Sequence, residues 1–205
     1  MLYPAVCLDC RGGDGPWCRR CRRSTPTLGS VSVEGIDASA AAFLHEEAPR
    51  AMVLAAKLGG HLRAIDEACA RLDALIAPGA ILVPVPDHAS IRAARGGSLT
   101  GAIARRLQPG RIVVKALRKV IRTQDQAGLS PQQREIAQAN AFAIRRHPGA
   151  TAVVLIDDVV TTGATARACA RVLRRCGVSR VDLATLTASP TLVRKAAVSR
   201  TYGPL

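Results

Sequence analysis

Apolar residues in this chain follow two alternating rhythms: short apolar-rich runs, two of them interrupted by polar residues, and longer stretches in which they recur every three or four positions. The runs are Ile81-Leu-Val-Pro84-Val-Pro86, Ile112 to Leu117, Ala141-Phe142-Ala143-Ile144, Val153-Val-Leu-Ile156 and Val181 to Thr187. The four consecutive branched aliphatics Val153 to Ile156 suit a strand buried on both faces of a parallel sheet, and the other runs read as further strands. Between them, Glu46 to Leu58 has helical spacing and ends at Gly59-Gly60. A second helix is predicted over Leu62 to Ile76, with Leu62, Ile65, Ala68, Cys69, Leu72, Leu75 and Ile76 on one face and Pro78-Gly79 closing it. A third runs from Ala166 to Cys176, with Ala166, Cys169, Ala170, Leu173 and Cys176 turned inward. Cys69, Cys169 and Cys176 therefore read as small core hydrophobes without chemistry. Upstream, Ser30 to Phe43 supplies one or two edge strands with Gly35 between them. Strands alternating with helices predict an α/β domain built on a parallel sheet flanked by helices.

The strand at Val153 leads into the most informative polar stretch of the chain. Asp157-Asp158 follow where that strand would run out, then Val159-Val160 and the turn Thr161-Thr162-Gly163-Ala164-Thr165. A strand, a tight turn and a helix aim the turn's backbone N–H groups at the positive end of the helix dipole, an anion site usually filled by phosphate. Gly163 permits close backbone approach or positive φ, and the three threonines offer hydroxyls to phosphate oxygens. Two adjacent carboxylates at the strand's carboxyl end suit the paired hydroxyls of a ribose, or a Mg²⁺ held through waters. The alternative is a plain Asx/Thr turn, with Thr161 or Thr162 as N-cap. Neither G-x-x-x-x-G-K-[ST] nor a G-x-G-x-x-G after a strand is present. At Val85-Pro86 the alternate prolines end or bend the earlier strand, which makes that bend part of a ligand crevice.

A second cluster lies at the N-terminus, where Cys7-x-x-Cys10 and Cys18-x-x-Cys21 are joined by a linker rich in Gly and Pro. Four thiolates on two knuckles suit tetrahedral Zn²⁺ in a closed, structural site. A disulfide pair and a redox C-x-x-C are the other readings of this spacing. Arg11, Arg19, Arg20, Arg22 and Arg23 crowd the cluster and would offset the charge of a Zn(Cys)₄ centre. Ser24 to Gly29 reads as a linker, giving a small unit over 1–25 and a main domain over 30–200.

Composition changes this picture in two ways. Across 205 residues the formal net charge is +14, and all the basic residues except Lys57, Lys115, Lys119 and Lys195 are arginine. Such a balance fits an anionic partner, nucleic acid or polyphosphate, or else an Ala- and Arg-rich coding bias. Aromatic residues are only 2%, which argues against a base-stacking surface. No apolar run approaches 18 residues, and the N-terminus lacks the charged and apolar regions of a signal peptide. The expectation is a cytoplasmic chain with no membrane span.

Four hydrophobics, two acids, two hydrophobics and T-T-G-x-T resemble the phosphoribosyl-pyrophosphate (PRPP) fingerprint of type I phosphoribosyltransferases. The order of motifs extends the likeness. The four cysteines come first, then Val83-Pro84-Val85-Pro86, Arg95-Gly96, Gln126-Ala127-Gly128-Leu129-Ser130, Arg134, Asn140, Ala141-Phe142 and the fingerprint. This order resembles the ComF family, phosphoribosyltransferase-like proteins associated with bacterial competence and DNA uptake. The resemblance implies a type I phosphoribosyltransferase-like sheet with a small N-terminal zinc ribbon. It assigns the ribose hydroxyls to Asp157 and Asp158, and the 5′-phosphate to Thr161, Thr162, Gly163, Ala164 and Thr165. The pyrophosphate side falls to the backbone near Val85-Pro86 and to Arg92 or Arg95, with Mg²⁺ bridging pyrophosphate and ribose oxygens. Where the family commonly shows Arg-Gly-Phe-Asn-Gln, this chain has Arg95-Gly96-Gly97-Ser98-Leu99. The implied reaction is transfer of ribose 5-phosphate from PRPP to a nucleophile with release of pyrophosphate, and no residue stands out as a general base. The alternative is a non-catalytic nucleotide- or phosphate-binding module that engages DNA or a DNA-uptake partner.

Overall fold

The computed structural model of the chain describes residues 6–7, 9–12, 17–87, 97–120 and 141–193. Its centre is a six-stranded sheet in the order β1-β2-β8-β7-β3-β4. The strands are β1 (Gly29–Val31), β2 (Ser39–Leu44), β3 (Ile81–Pro84), β4 (Ile112–Val113), β7 (Ala152–Val160) and β8 (Arg180–Ala188). Within this sheet, among the described residues, β1–β2 is the one antiparallel pairing; β2, β8, β7, β3 and β4 run parallel to one another. The central strands β3, β7 and β8 bury aliphatics on both faces, because a parallel strand with helices on both faces has no solvent side.

The two faces carry different cover. On one lie α2 (Glu47–Gly59), a 3₁₀ turn (Leu62–Ile65), α3 (Asp66–Asp73) and α4 (Leu99–Arg106). They bury Met52, Val53, Ile65, Leu72 and Ile103 against Leu82, Ile156 and Leu186 of the sheet. On the other face lies α5 (Ala164–Arg175), whose Ala166, Cys169, Ala170 and Leu173 pack on Val83, Leu155 and Leu183. An antiparallel pair of strands, β5 (Leu117–Lys119) and β6 (Phe142–Ile144), lies on that side.

Cys7, Trp17, Cys18 and Cys21 belong to the first core, alongside Phe43 and Met52. The Trp17 and Phe43 rings meet edge to face at 4.9 Å between centroids. The knuckle, with its short helix α1 (Arg19–Ser24), is thus stapled onto β2 and the helices above it.

Several elements differ from the expectation. The helix expected over Leu62 to Ile76 begins as a 3₁₀ turn and its α-helical part stops at Asp73. Arg106 and Arg111 take carbonyls at its two ends, Arg106 bonding Leu62 and Arg111 bonding Asp73 and Ile76. The run Ile112 to Leu117 divides: Ile112-Val113 pair with β3, and Leu117 turns away to pair with Ile144. The strand at Val153 does not run out at the aspartates. It continues to Val160, because β8 goes on pairing with it as far as Ala188. Cys69 and Cys169 are buried as expected, whereas Cys176 is half-buried at the end of α5.

Candidate functional site

The crevice arises from unequal strand lengths. On one side of β7, pairing with β3 ends at Pro84 opposite Ile156, and Val85 N–H makes a last bond to Ile156 O. On the other side β8 continues, so Asp157 to Val160 form a ledge paired along one edge only. Ligands of open parallel sheets bind outside such carboxyl ends.

Val85 and Pro86 sit at the rim of this step, Val85 buried and Pro86 half-buried. Val85 O accepts a hydrogen bond from Thr100 Oγ1 at 2.7 Å, and Asp87 Oδ2 accepts from Leu99 N–H at 3.1 Å. Ser98 caps α4 by accepting from Gly101 N–H, and Leu99 is buried. The departure from Arg-Gly-Phe-Asn-Gln thus has a structural use here, since Ser98 and Leu99 start and seat a helix. Arg92 and Arg95 lie outside the described residues, as do Gln126 to Ser130, Arg134 and Asn140.

The turn after β7 is shaped by one glycine. Gly163 is the N-cap of α5, at φ +76°, and a Cβ there would come within 2.4 Å of Val33 Cγ1. Both the left-handed backbone and the approach of Val33 demand glycine. Neither Thr161 nor Thr162 is the N-cap, and no side chain caps the helix. The first intrahelical bond is Arg167 N–H to Gly163 O. Among the described residues, the N–H groups of Thr165 and Ala166 have no bonded partner, and Ala164 N–H has only a long contact of 3.4 Å to Thr162 Oγ1. Three N–H groups at a helix N-terminus, with no acidic residue in the first turn, make a site that favours an anion. They border a cavity of about 60 Å³ lined by Asp157, Val159 to Ala166 and Leu183. That is room for several water-sized groups, enough for a small polyatomic anion.

The two aspartates face opposite ways, as adjacent strand residues do. Asp157 lines the cavity. Burial and the adjacent Asp158 charge push its carboxyl up to about 8. Beside it on β8, in register, Thr185 is fully buried, and among the described residues its hydroxyl has no partner. Asp158 points to the helical side, where Lys57 Nζ lies 2.8 Å from its Oδ2. His45 stands nearby, bonded through Nδ1 to Thr187 Oγ1 at 2.8 Å. Burial and the positive charge of Arg50 hold that imidazole's pKa below its ordinary value. Lys57, Val33 and Thr185 carry no motif; only the folded sheet brings them to the fingerprint.

The second cluster is compact. The Sγ atoms of Cys7, Cys10, Cys18 and Cys21 all lie within 4.8 Å of one another, with Cys10 and Cys18 at 3.8 Å. A tetrahedral Zn²⁺ with Zn–S near 2.3 Å sets its sulfurs about 3.8 Å apart, so the donor set and its spacing fit that ion. Cys18 N–H donates to Cys7 Sγ at 3.4 Å, an outer bond of the kind that holds a thiolate ligand. Zinc here would be structural, since four thiolates leave no open position.

A family model described as "Phosphoribosyl transferase domain" matches residues 93–197. Comparison with curated proteins found no match. Among solved structures, the crystal structure of a hypoxanthine phosphoribosyltransferase from Staphylococcus aureus is similar at 14% identity and a TM-score of 0.38. The similar region covers 64% of this chain and 66% of that one, so the chain spans just under two thirds of that protein's length. Among the described residues, no helix is long and apolar enough to cross a membrane.

Proposed function

The chain belongs to the phosphoribosyl transferase domain family, and from that premise we propose that it binds PRPP and transfers its ribose 5-phosphate to a nucleophile with release of pyrophosphate. The observation that carries this reading is the uncapped N-terminus of α5, opening on a cavity that Asp157 also lines. In this reading the N–H groups and hydroxyls of Thr161 to Thr165 hold the 5′-phosphate, and Asp157 and Asp158 accept from the ribose hydroxyls. The rim at Val85-Pro86, with Arg92 and Arg95, takes the pyrophosphate side. Mg²⁺, which Asp157 and Asp158 would help to hold through waters, would supply charge neutralisation for the departing polyanion. The protein's own contribution is orientation and electrostatic stabilisation, because a loose, cation-like centre at C1 needs positioning more than a base. Within the family, the motif order and the four-cysteine knuckle support a ComF-type protein with a zinc ribbon over 1–25 and the transferase-like domain over 30–200. A cytoplasmic place and a link to DNA uptake belong to that same reading.

The test is incubation with PRPP, Mg²⁺ and a panel of nucleobases while pyrophosphate release is measured, beside calorimetric titration of PRPP. Pyrophosphate release with one base assigns the acceptor. Absence of PRPP binding sinks the reading.

A second reading has an observation of its own. Arg171 and Arg175 are exposed on α5, beside Arg167 and Arg174, and Arg19, Arg20 and Arg23 line a surface near the knuckle. Such surfaces suit a module that holds a nucleotide without turnover while engaging DNA. Several phosphate contacts would make DNA affinity fall steeply with salt, and a flat salt response would remove this reading.

A further inference from the structure

At the carboxyl end of β7 polar groups succeed one another from one face of the sheet to the other. The free N–H groups of α5 and the cavity come first, then Asp157, then Asp158, and last the Lys57 ammonium on α2. Lys57 approaches from the face of the sheet opposite α5, and among the described residues Asp158 is its only charged partner. Its side chain keeps 38% exposure while that of Asp158 keeps 11%, so the ammonium looks outward from an otherwise covered pair. The cation sits in the last turn of α2, just before the left-handed cap at Gly60 (φ 68°). The helix dipole favours a positive charge there without requiring it to meet Asp158.

PRPP has the complementary order: an anionic 5′-phosphate, two neutral hydroxyls that donate hydrogen bonds, and an anionic pyrophosphate on C1. Held with its phosphate at Thr161 to Thr165 and its diol on the acids, the ribose directs its C1 substituent away from the phosphate cavity, toward the far side of Asp158. We propose that Lys57 is a ligand-binding residue of this site, which exchanges part of its contact with Asp158 for the pyrophosphate oxygens once the ribose hydroxyls occupy that carboxylate. The exchange keeps every charge partnered. Without ligand, Lys57 balances the buried Asp158; with ligand, the hydroxyls donate to Asp158 and the ammonium meets the polyanion. A lysine suits the exchange, since its ammonium is a compact point charge on a flexible stem. The inference rests on the PRPP reading above and adds a pyrophosphate contact from α2.

The two ligands that separate these ideas are PRPP and ribose 5-phosphate, each titrated with Mg²⁺ into the wild type, Lys57→Met and Lys57→Arg. Loss of one charge-assisted contact predicts that Lys57→Met weakens PRPP about tenfold or more. Ribose 5-phosphate, which has no pyrophosphate, should stay within about twofold. Lys57→Arg should recover most of the PRPP affinity. Should thermal melts show that the methionine variant is unfolded, Lys57→Gln serves in its place, because its amide still donates to Asp158 while lacking the charge. Equal weakening of both ligands would reduce Lys57 to a support for Asp158 and overturn the inference, as would no weakening of either. A wild type that binds neither ligand would instead sink the PRPP reading itself.

Discussion

The cysteine knuckle and the turn after β7 are both short, contiguous polar motifs, yet they are held in shape by opposite means. The knuckle brings four thiols within 4.8 Å of one another, a geometry that thiols adopt for a metal and have little reason to adopt without one. The turn needs no ion to hold it. Gly163 is fixed by its left-handed φ and by Val33, and the ledge before it is fixed by β8. One motif has the geometry of a metal site; the other is shaped by its scaffold around an open cavity. They are linked through the first core, since Cys18, Cys21 and Trp17 pack with Phe43 and with α2, the helix that carries Lys57.

The largest expected effect tests the dependence on metal. Freshly purified protein should carry one zinc per chain, and Cys18→Ser should lose it. Because Cys18 is buried in the core that contains Phe43 and Met52, the loss should lower the melting temperature of the main transition rather than only fray the N-terminus. Structural zinc contributes folding free energy on the order of 10 kcal/mol in isolated zinc-binding peptides, so even a fraction of that is a large shift here. A variant that binds no zinc and melts like the wild type would show the knuckle to be independent of the core.

Next comes the scaffold side. Gly163→Ala incurs the left-handed backbone penalty and a clash with Val33, together roughly 2–5 kcal/mol. Adding Val33→Ala should relieve the clash but not the φ penalty, recovering only part of the loss. Full recovery in a denaturant melt would mean that the backbone turn is not held as described.

The acid pair comes third, and its two members should respond with opposite sign. Asp157 has a folded pKa of about 8, above the ordinary carboxylate value near 3.9. Between those values the native state keeps a proton that the unfolded chain releases, so this group makes stability fall as pH rises from about 4 to 8. Asp157→Asn should therefore raise the melting temperature more at pH 8 than at pH 5. Asp158→Asn should lower it, since it leaves Lys57 facing a neutral amide. Parallel behaviour of the two variants would remove the distinction drawn between the faces of β7.

What could be read from the chain before folding follows the same division. Asp157 to Thr165 and the four cysteines were legible because their partners lie within a few residues, where spacing is geometry. The ledge was not, since whether β7 ends at Ile156 or Val160 is decided by β8, which has no mark for it in the β7 sequence. Lys57 was one of four lysines in a basic chain, and nothing near it in sequence points to Asp158. The ends of the helix over Leu62 to Ile76 were illegible for a related reason. Its apolar spacing is sound, but Arg106 and Arg111 reach back to occupy carbonyls at its ends. Part of the arginine excess is thus spent on backbone carbonyls, as with Arg71 bonding Arg22 O and Arg174 bonding Gly35 O. Charge counting alone cannot separate such clamps from an anion-binding surface.

The smallest expected effect on the fold is at Thr162, and it isolates what the turn is for. Its side chain is exposed, and its Oγ1 makes only a 3.4 Å contact to Ala164 N–H. Its carbonyl, which Arg167 Nη1 bonds at 2.8 Å, is untouched by a side-chain change. Thr162→Ala should therefore shift stability by no more than about 0.5 kcal/mol. If the hydroxyl serves a bound phosphate, the variant should still lose affinity for ribose 5-phosphate, by the roughly 0.5–1.5 kcal/mol of one neutral hydrogen bond, or about twofold to thirteenfold. A turn that merely started α5 would give the reverse pattern, with stability falling and affinity unchanged. Denaturant melts and ligand titrations on the same preparation decide between them. A stability loss above about 1 kcal/mol with unaltered binding would return Thr162 to the role of a helix start.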